Sequence, residues 1–548
     1  MNFKLASTIR LLLLGLFLIC FDRGKILAEE NGSRTNSTDF IENEKLQNIR
    51  EDSSNFTVDI KKINFIGNTV FSQKELTKVA QKYIEDKNTF ENLLEVEKAI
   101  TKLYVEAGYI NSAAVIPTGQ TIKDREVTIQ IIEGSIAEIK VIGNERLNTN
   151  YIRDRIAQGT KKPFNINQLL ESLRLLQLDS LIEQISVELS PGIIREASIL
   201  QVTVTEADSF QLTAIADNGR SPSVGSFRRG LGLTEANLFG LGDRFDFNWT
   251  NTDGSNSLNT GYEIPINASN GKILLSAGYR DTEVIEEPFD RIDINGDSVY
   301  YELGLRQPIS QSSRQELALG LKFSYQTSQT ELSGENFPLS RGANEDGETT
   351  ISALRFFQEW TNRNNNEVFA LRSQFNFGLG ILGATDNREL PDSSFFSWNG
   401  QGQYVRSLSK NTLLVFSGDL QIATEELVPL EKFGLGGLYS VRGYRQDFLL
   451  TDNAVFTSAE IQLPIFNVEK VEGILQIIPF IDFGIGWNSG EISDRDPNHL
   501  LGVGLGLQWR MKNKFSARLD WGIPLVDADI QERTLQEQGL YFSVDYNL

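Results

Sequence analysis

From Ser209 onward the chain alternates apolar and polar residues with period two. Leu501, Val503, Leu505, Leu507 and Trp509 interleave with Gly502, Gly504, Gly506, Gln508 and Arg510. Phe515, Ala517, Leu519 and Trp521 interleave with Ser516, Arg518, Asp520 and Gly522, and Leu317, Leu319, Leu321 and Phe323 with Ala318, Gly320, Lys322 and Ser324. Successive strand side chains point to opposite faces, so each segment has one greasy face and one polar face. A soluble sandwich alternates too, with its greasy face turned inward. Three features point instead to a lipid-facing barrel. The segments run about 9–14 residues, the length a tilted membrane strand needs. There are about sixteen, an even number, as in single-chain bacterial barrels. The connectors alternate in length. After even-numbered strands they are mostly short (268–271, 310–313, 362–366, 408–411, 512–513), and after odd-numbered strands most are longer and polar (281–298, 331–348, 428–453, 488–498, 524–538). Short periplasmic turns against long external loops are the outer-membrane arrangement. Residues 208–548 are therefore predicted to form an all-β membrane barrel of about 16 antiparallel strands.

A different pattern precedes it. Residues 60–76, IKKINFIGNTVFSQKEL, are similar to residues 136–152, IAEIKVIGNERLNTNYI, at an offset of 76. Gly67-Asn68 matches Gly143-Asn144, a strand-ending turn pair. In the first unit QKELTKVAQKYIED and NLLEVEKAITKLYVEAG have helical spacing, with Leu94, Ile100 and Leu103 toward one face, and SAAVIP and EVTIQIIEG read as strands. In the second, NYIRDRIAQG and INQLLESLRLLQLD are helical, and ISVELSPG and SILQVTVTE are strands. Two β-α-α-β-β units are expected, at 58–134 and 135–207.

Residues 1–28 carry Lys4 and Arg10, the wholly apolar run 11–21, and ILA ending at Ala28. This is the pattern of a secretory signal peptide. Bulky Ile19 before Cys20 argues against a lipoprotein. Residues 29–57 form an N-terminal extension with no Pro and a weak helical pattern around DFIENEKLQNIR.

The composition adds exclusions. A hydrophobic content of 40% and a mean hydropathy of −0.24 do not fit a helical membrane protein. They do fit a barrel whose inner face is wet. Lys+Arg 52 against Asp+Glu 73 gives −21, and removing the +3 of residues 1–28 makes it −24, which disfavours generic nucleic-acid binding. One His, one Cys and two Met leave almost nothing for thiol, zinc or haem chemistry. No catalytic, cofactor-binding or metal-ligating set is expected. Asp293–Asp297 lacks the full ligand ladder of a Ca²⁺ loop and reads as a turn. The Gly502, Gly504, Gly506 run is spaced by two inside a strand, unlike a dinucleotide fingerprint.

The connector between strands 11 and 12 reads EKFGLGGLYSVRGYRQDFLL, residues 431–450, and is apolar for an external loop. Its Val441-Arg442-Gly443-Tyr444 resembles the VRGY signature of outer-membrane polypeptide-transporting barrels. In the next strand but one, Phe480-Ile481-Asp482-Phe483-Gly484 is similar to their FxDxG signature. With two β-α-α-β-β units ahead of the barrel, residues 58–548 resemble the two-partner secretion transporters of the ShlB/FhaC/HecB family, and the two units would be POTRA domains. Parity turns Asp482 to the lumen. The resemblance implies that the loop folds inward and that Arg442 meets Asp482 as a charge-assisted pair. Family members often carry a plug helix before the first POTRA unit, but residues 29–57 leave little room for one. The chain ends with Leu548 on the lipid-facing parity of Leu540, Phe542, Val544 and Tyr546.

The resemblance implies an outer-membrane protein, not an enzyme and without a cofactor, with its POTRA domains in the periplasm. It would bind a secreted polypeptide client, haemolysin-like or filamentous-haemagglutinin-like, and export it through the barrel. The other expected partners are outer-membrane lipid and the barrel-assembly machinery. No GxxxxGK[ST] is present to bind ATP. The alternatives are a barrel-assembly insertase and a passive porin. A neighbouring reading frame for a very large, repetitive β-rich exported protein would favour two-partner secretion.

Overall fold

A computed structural model describes residues 57–548, apart from 59, 85–87, 123, 195, 388, 491–494 and 529–532. The expected signal peptide and nearly all of the N-terminal extension lie outside the described residues. The chain divides into two compact units, with the boundary between Ala207 and Asp208.

The N-terminal unit holds the repeat. Its first half is β1 (Lys62–Ile66), α1 (Gln73–Ala80), α2 (Phe90–Glu106), β2 (Ala113–Val115) and β3 (Glu126–Ile132). Its second half is β4 (Ser135–Ile142), α3 (Thr149–Ala157), α4 (Ile166–Gln177), β5 (Ile182–Pro191) and β6 (Ala197–Glu206). Each half forms a three-stranded sheet in the same order, β1-β3-β2 and β4-β6-β5. In each, the first strand lies parallel to the central one and the other antiparallel. Ser72 caps α1 with a full capping box to Glu75. The buried face of α2 is Leu93, Val96, Ile100 and Tyr104. Leu94 and Leu103 flank this stripe half-buried, because the 3.6-residue period centres it on Val96 and Ile100.

The Gly-Asn pair has a physical role that is the same in both halves. Gly67 (φ +82°) and Gly143 (φ +86°) press on the central strand, where a Cβ would come within 2.4 Å of the Ile131 carbonyl oxygen or 2.3 Å of that of Val204. Asn68 Nδ2 donates to the Phe71 carbonyl and Asn144 Nδ2 to that of Leu147, both at 2.8 Å. A carboxylate at the end of the third strand then collects the turn's free N–H groups. Glu133 accepts from Thr69 N (2.7 Å) and Val70 N (3.0 Å), and Glu206 from Glu145 N (2.7 Å) and Leu147 N (2.8 Å). Neither glutamate stood out in the sequence.

The C-terminal unit is a closed barrel of sixteen antiparallel strands. These are β7 (Phe210–Asp217), β8 (Arg228–Glu235), β9 (Arg244–Thr252), β10 (Ser255–Pro265), β11 (Lys272–Glu283), β12 (Ile294–Gln311), β13 (Gln315–Leu332), β14 (Glu348–Arg363), β15 (Glu367–Leu379) and β16 (Phe396–Ser409). They continue with β17 (Thr412–Ala423), β18 (Asn453–Val468), β19 (Gly473–Trp487), β20 (His499–Met511), β21 (Phe515–Pro524) and β22 (Leu540–Asn547). β22 closes on β7, from Ser543↔Asp217 to Asn547↔Thr213. The odd-strand connector 253–254 is short, an exception to the length parity. β12 and β13 each reach 18 residues, beyond the expected length, and pair with one another from Ile294↔Leu332 to Gln311↔Glu316. Asn295 and Asp297 already belong to β12, so Asp293–Asp297 is the entry to a strand and not the expected turn.

Side chains divide by parity. Leu303, Leu505, Leu519 and Trp521 are about half exposed on the outer wall. The inner face carries ion pairs such as Lys322–Glu302 (2.8 Å), Arg306–Glu359 (2.7 Å) and Arg372–Glu359 (2.5 Å). Leu548 extends the outer row, its N–H donating to the Leu212 carbonyl at 2.8 Å.

Candidate functional site: the loop latched inside the barrel

The connector 424–452 turns back into the lumen. Its stem is a short ribbon of Phe433–Leu435 against Leu449–Thr451. Leu435, Val441, Tyr444, Phe448 and Leu449 pack with Ala454, Phe456 and Leu500 of the wall into one buried cluster. That burial explains why the connector is apolar despite its length.

Arg442 lies at the tip and is 4% exposed. Its Nε donates to Asp482 Oδ2 (2.7 Å) and its Nη2 to Asp482 Oδ1 (2.8 Å), a bidentate fork, and its backbone N–H adds a third bond to Oδ2 at 3.1 Å. The pair has more company than parity alone suggested. Arg442 Nη1 lies 2.7 Å from Glu460 Oε1 and 3.6 Å from Asp520 Oδ2. Arg518 bridges the same two carboxylates, at 2.9 Å to Glu460 and 2.8 Å to Asp520. Ser458 Oγ donates to Asp482 Oδ1 at 2.6 Å. Two arginines and three carboxylates thus form one network of net charge −1. Burying an ion pair is costly unless its remaining hydrogen-bonding capacity is met, and here it is met from three strands and the loop.

Each motif residue has a geometric part. Phe480 carries the Arg442 guanidinium 3.4 Å above its ring centroid. Gly484 leaves room for Val441, since a Cβ there would lie 2.8 Å from Val441 Cγ2. Gly443 (φ +104°) lets the loop backbone lie against β21, where a Cβ would meet Pro524 N at 2.8 Å. Its N–H donates to the Tyr541 hydroxyl at 2.9 Å. Tyr444 is fully buried, its hydroxyl 3.0 Å from the carbonyls of Leu501 and Val526. The glycine run of β20 belongs to this site as well. Gly502 faces the loop backbone, and Gly504 and Gly506 leave space for Phe480 and Asp520.

The network is assembled by register. Ser458 stands opposite Asp482, and Asp482 opposite Gly502; Asp520 stands opposite Gly506. Arg518 and Asp520 already had lumen parity in the sequence, but parity does not say which lumen residues share a level.

The loop is also held elsewhere. Arg355 of β14 takes Glu431 in a second bidentate pair (2.6 and 3.0 Å). Arg228 of β8 donates to the Tyr439 hydroxyl at 2.7 Å. Arg445 reaches Glu286 at 2.7 Å and Glu537 at 3.4 Å. The loop is therefore gripped by strands far apart around the wall and spans the pore.

A family model for the haemolysin secretion/activation protein ShlB/FhaC/HecB matches residues 196–509, and one for the ShlB-type POTRA domain matches residues 58–134. The outer membrane transporter CdiB of Dickeya dadantii is 22% identical over 426 residues, 74% of each chain. The heme/hemopexin transporter protein HuxB of Haemophilus influenzae is 22% identical over 476 residues, 82% of this chain and 80% of that one. The solved structure of CdiB from Escherichia coli superposes with a TM-score of 0.71 at 18% identity, covering 100% of this chain and 98% of that one, and so shares the fold. With the model spanning more than half of its length, this chain belongs to the ShlB/FhaC/HecB family of haemolysin secretion/activation proteins.

Proposed function

We propose that this outer-membrane protein takes up an exported polypeptide in the periplasm through its POTRA units and passes it through the barrel, with the VRGY loop as the latch across the pore. The observation that supports this reading is a family-signature loop seated inside a closed barrel and held there by Arg442. The N-terminal sheets are small and leave edges unpaired. β2 is an edge of the first sheet, and β4 and β5 are the edges of the second. An unpaired edge can take up an extended chain by adding it as a further strand. Outer-membrane lipid would meet the greasy outer wall, and the barrel-assembly machinery would insert it. The folding of the client outside supplies the drive in place of ATP.

Deleting residues 58–134 tests the reading. The expected result is loss of client from the medium, while the barrel remains in the outer membrane and still migrates faster unheated than boiled. Export at the wild-type level by this deletion would mean that the client is recognised elsewhere.

A further inference from the structure

Besides the latch, a second charged region faces the loop from β7, β8 and β11. Arg228 at the start of β8 donates to Asp217 at 2.6 and 2.9 Å. Arg280 lies near the end of β11, and its Nε is buried with no hydrogen-bond partner. The ladder runs Gly230↔Thr250, Thr250↔Ser257, Ser257↔Arg280. Arg228 and Arg280 thus flank a floor of three small residues, with β9 and β10 between their strands. Arg220 joins them from the connector 218–227, which is tied over this floor by the Gly254 N–H donating to Val224 (3.1 Å). The charges of Arg228 and of Asp447 in the loop act on both Arg220 and Arg280. On the wall, Asp545 of β22 lies within the field of Arg228 and Asp217.

The loop supplies further compensation. Tyr439 meets Arg228, and it packs so close to Gly219 that a Cβ there would lie 2.7 Å from Tyr439 Cε2. Asp447 adds one negative charge, held by Gln446 Nε2 at 2.8 Å. With the loop inside, Arg228 is paired with Asp217 and capped by Tyr439, and the negative charge near Arg220 and Arg280 is that of Asp447. Withdrawal of the loop takes Tyr439 and Asp447 away and leaves Arg280 Nε without a partner. Guanidinium groups with unused donors on a partly desolvated wall bind carboxylates through charge-assisted hydrogen bonds.

We propose that Arg220, Arg228 and Arg280 form a carboxylate-binding site on the pore wall, taken up by acidic side chains of a polypeptide in transit, and that Asp447 and Tyr439 of the loop occupy it at rest. The site rests on the transport reading above, and is tested without measuring secretion, so that either can fail alone.

The full-length protein is reconstituted in planar bilayers, and block of its conductance is titrated with polyglutamate, polyglutamine and inorganic phosphate. Polyglutamate should block and polyglutamine should not. Arg280→Gln and Arg220→Gln should each weaken the block about tenfold, the value of one charged hydrogen bond. Asp447→Asn should strengthen it severalfold by emptying the site. Arg280→Lys keeps the charge and should stay within about threefold of wild type. Arg244→Gln is the control: it removes the same charge at the far end of the lumen, where Arg244 is paired to Asp246. An equal effect of Arg244→Gln would reduce the result to pore net charge and overturn the site. Equal loss in the Lys and Gln variants of Arg280 would overturn it too. So would phosphate blocking as well as polyglutamate, which would make it a small-anion site only.

Discussion

In the first POTRA unit the interior is apolar: Leu76, Val96, Ile100, Val127 and Ile129 are fully buried, and the carboxylate at its edge, Glu133, is met by neutral donors. In the barrel most apolar strand side chains face outward, the loop's own apolar cluster apart, and the groups gathered around the latch are the buried Arg442, Glu460, Asp482 and Asp520 with the half-buried Arg518. The two interiors carry information differently. An apolar core is non-directional, so any well-filling side chain contributes in proportion to the area it buries. An ionic interior depends on partners placed to within a fraction of an ångström, and removing one partner strands the others. Substitutions should therefore cost stability in the first region and a specific conformation in the second.

The largest expected effect lies in the latch. Arg442→Ala removes the fork and leaves three carboxylates facing Arg518 alone, shifting the network from −1 to −2. Client in the medium, normalised to barrel in the membrane, should fall by an order of magnitude or more with insertion intact, and channel conductance should change as the loop loosens. Asp482→Ala should be milder, because Glu460 still holds Arg442 Nη1 at 2.7 Å. The double variant should be little worse than Arg442→Ala, since both changes act on one network. Arg442→Lys should restore only part, having charge without the planar fork. The charge swap, Arg442→Asp combined with Asp482→Arg, should fail as well. It puts a carboxylate at the loop tip beside Glu460 and Asp520, in a geometry built around one forked cation. Strictly additive losses would show that the two residues do not act as a unit.

This difference also sets how much could be read from the sequence. Periodicity alone placed all ten elements of the repeat, because an amphipathic helix or strand writes its buried face into consecutive residues. It misjudged only the rotation of α2, where Leu93 and Val96 rather than Leu94 mark the face. Period-two alternation likewise gave the barrel's inside and outside. It did not give the partners of Arg442. Glu460, Arg518 and Asp520 lie on segments far from the loop tip in sequence, and only inter-strand register puts them at the level of Asp482. The meeting of Arg442 with Asp482 was expected from family motifs and not from pattern. The pairing of Glu431 with Arg355 had no motif to announce it.

A smaller effect is expected in the apolar core. Ile100 is fully buried in α2 and packs within the cluster around Leu76 and Val127. Ile100→Ala should destabilise the first POTRA unit by about 3 kcal/mol, from lost transfer energy and an incompletely filled cavity. Hydrogen exchange on the full-length protein should show faster opening of residues 62–132, with protection of the barrel strands unchanged. Faster exchange in both regions would break the comparison, because it would mean that the two interiors do not fail independently.

The smallest effect tests the one carboxylate on the apolar side of the comparison. Burial disfavours the charged form of Glu133, but its hydrogen bonds from the Thr69 side chain, the backbone N–H groups of Thr69 and Val70, and the Tyr104 hydroxyl outweigh that cost and hold its carboxyl below the usual value. A folded-state value below the unfolded one means that the unfolded chain takes up the proton more readily. The stabilisation is therefore complete above the unfolded carboxylate range, around pH 4.5, and is lost as the pH falls through the lowered folded value. Acidification should accordingly loosen the β1–α1 turn, seen as faster exchange at Thr69 and Val70. Glu133→Gln cannot titrate and offers one acceptor oxygen where the carboxylate offers two. It should be modestly less stable at neutral pH, with a flatter pH dependence of opening as the pH falls below the usual carboxylate value. An unchanged acid response in Glu133→Gln would assign the titration to another group, and would leave Glu133 as a turn brace with no part in it.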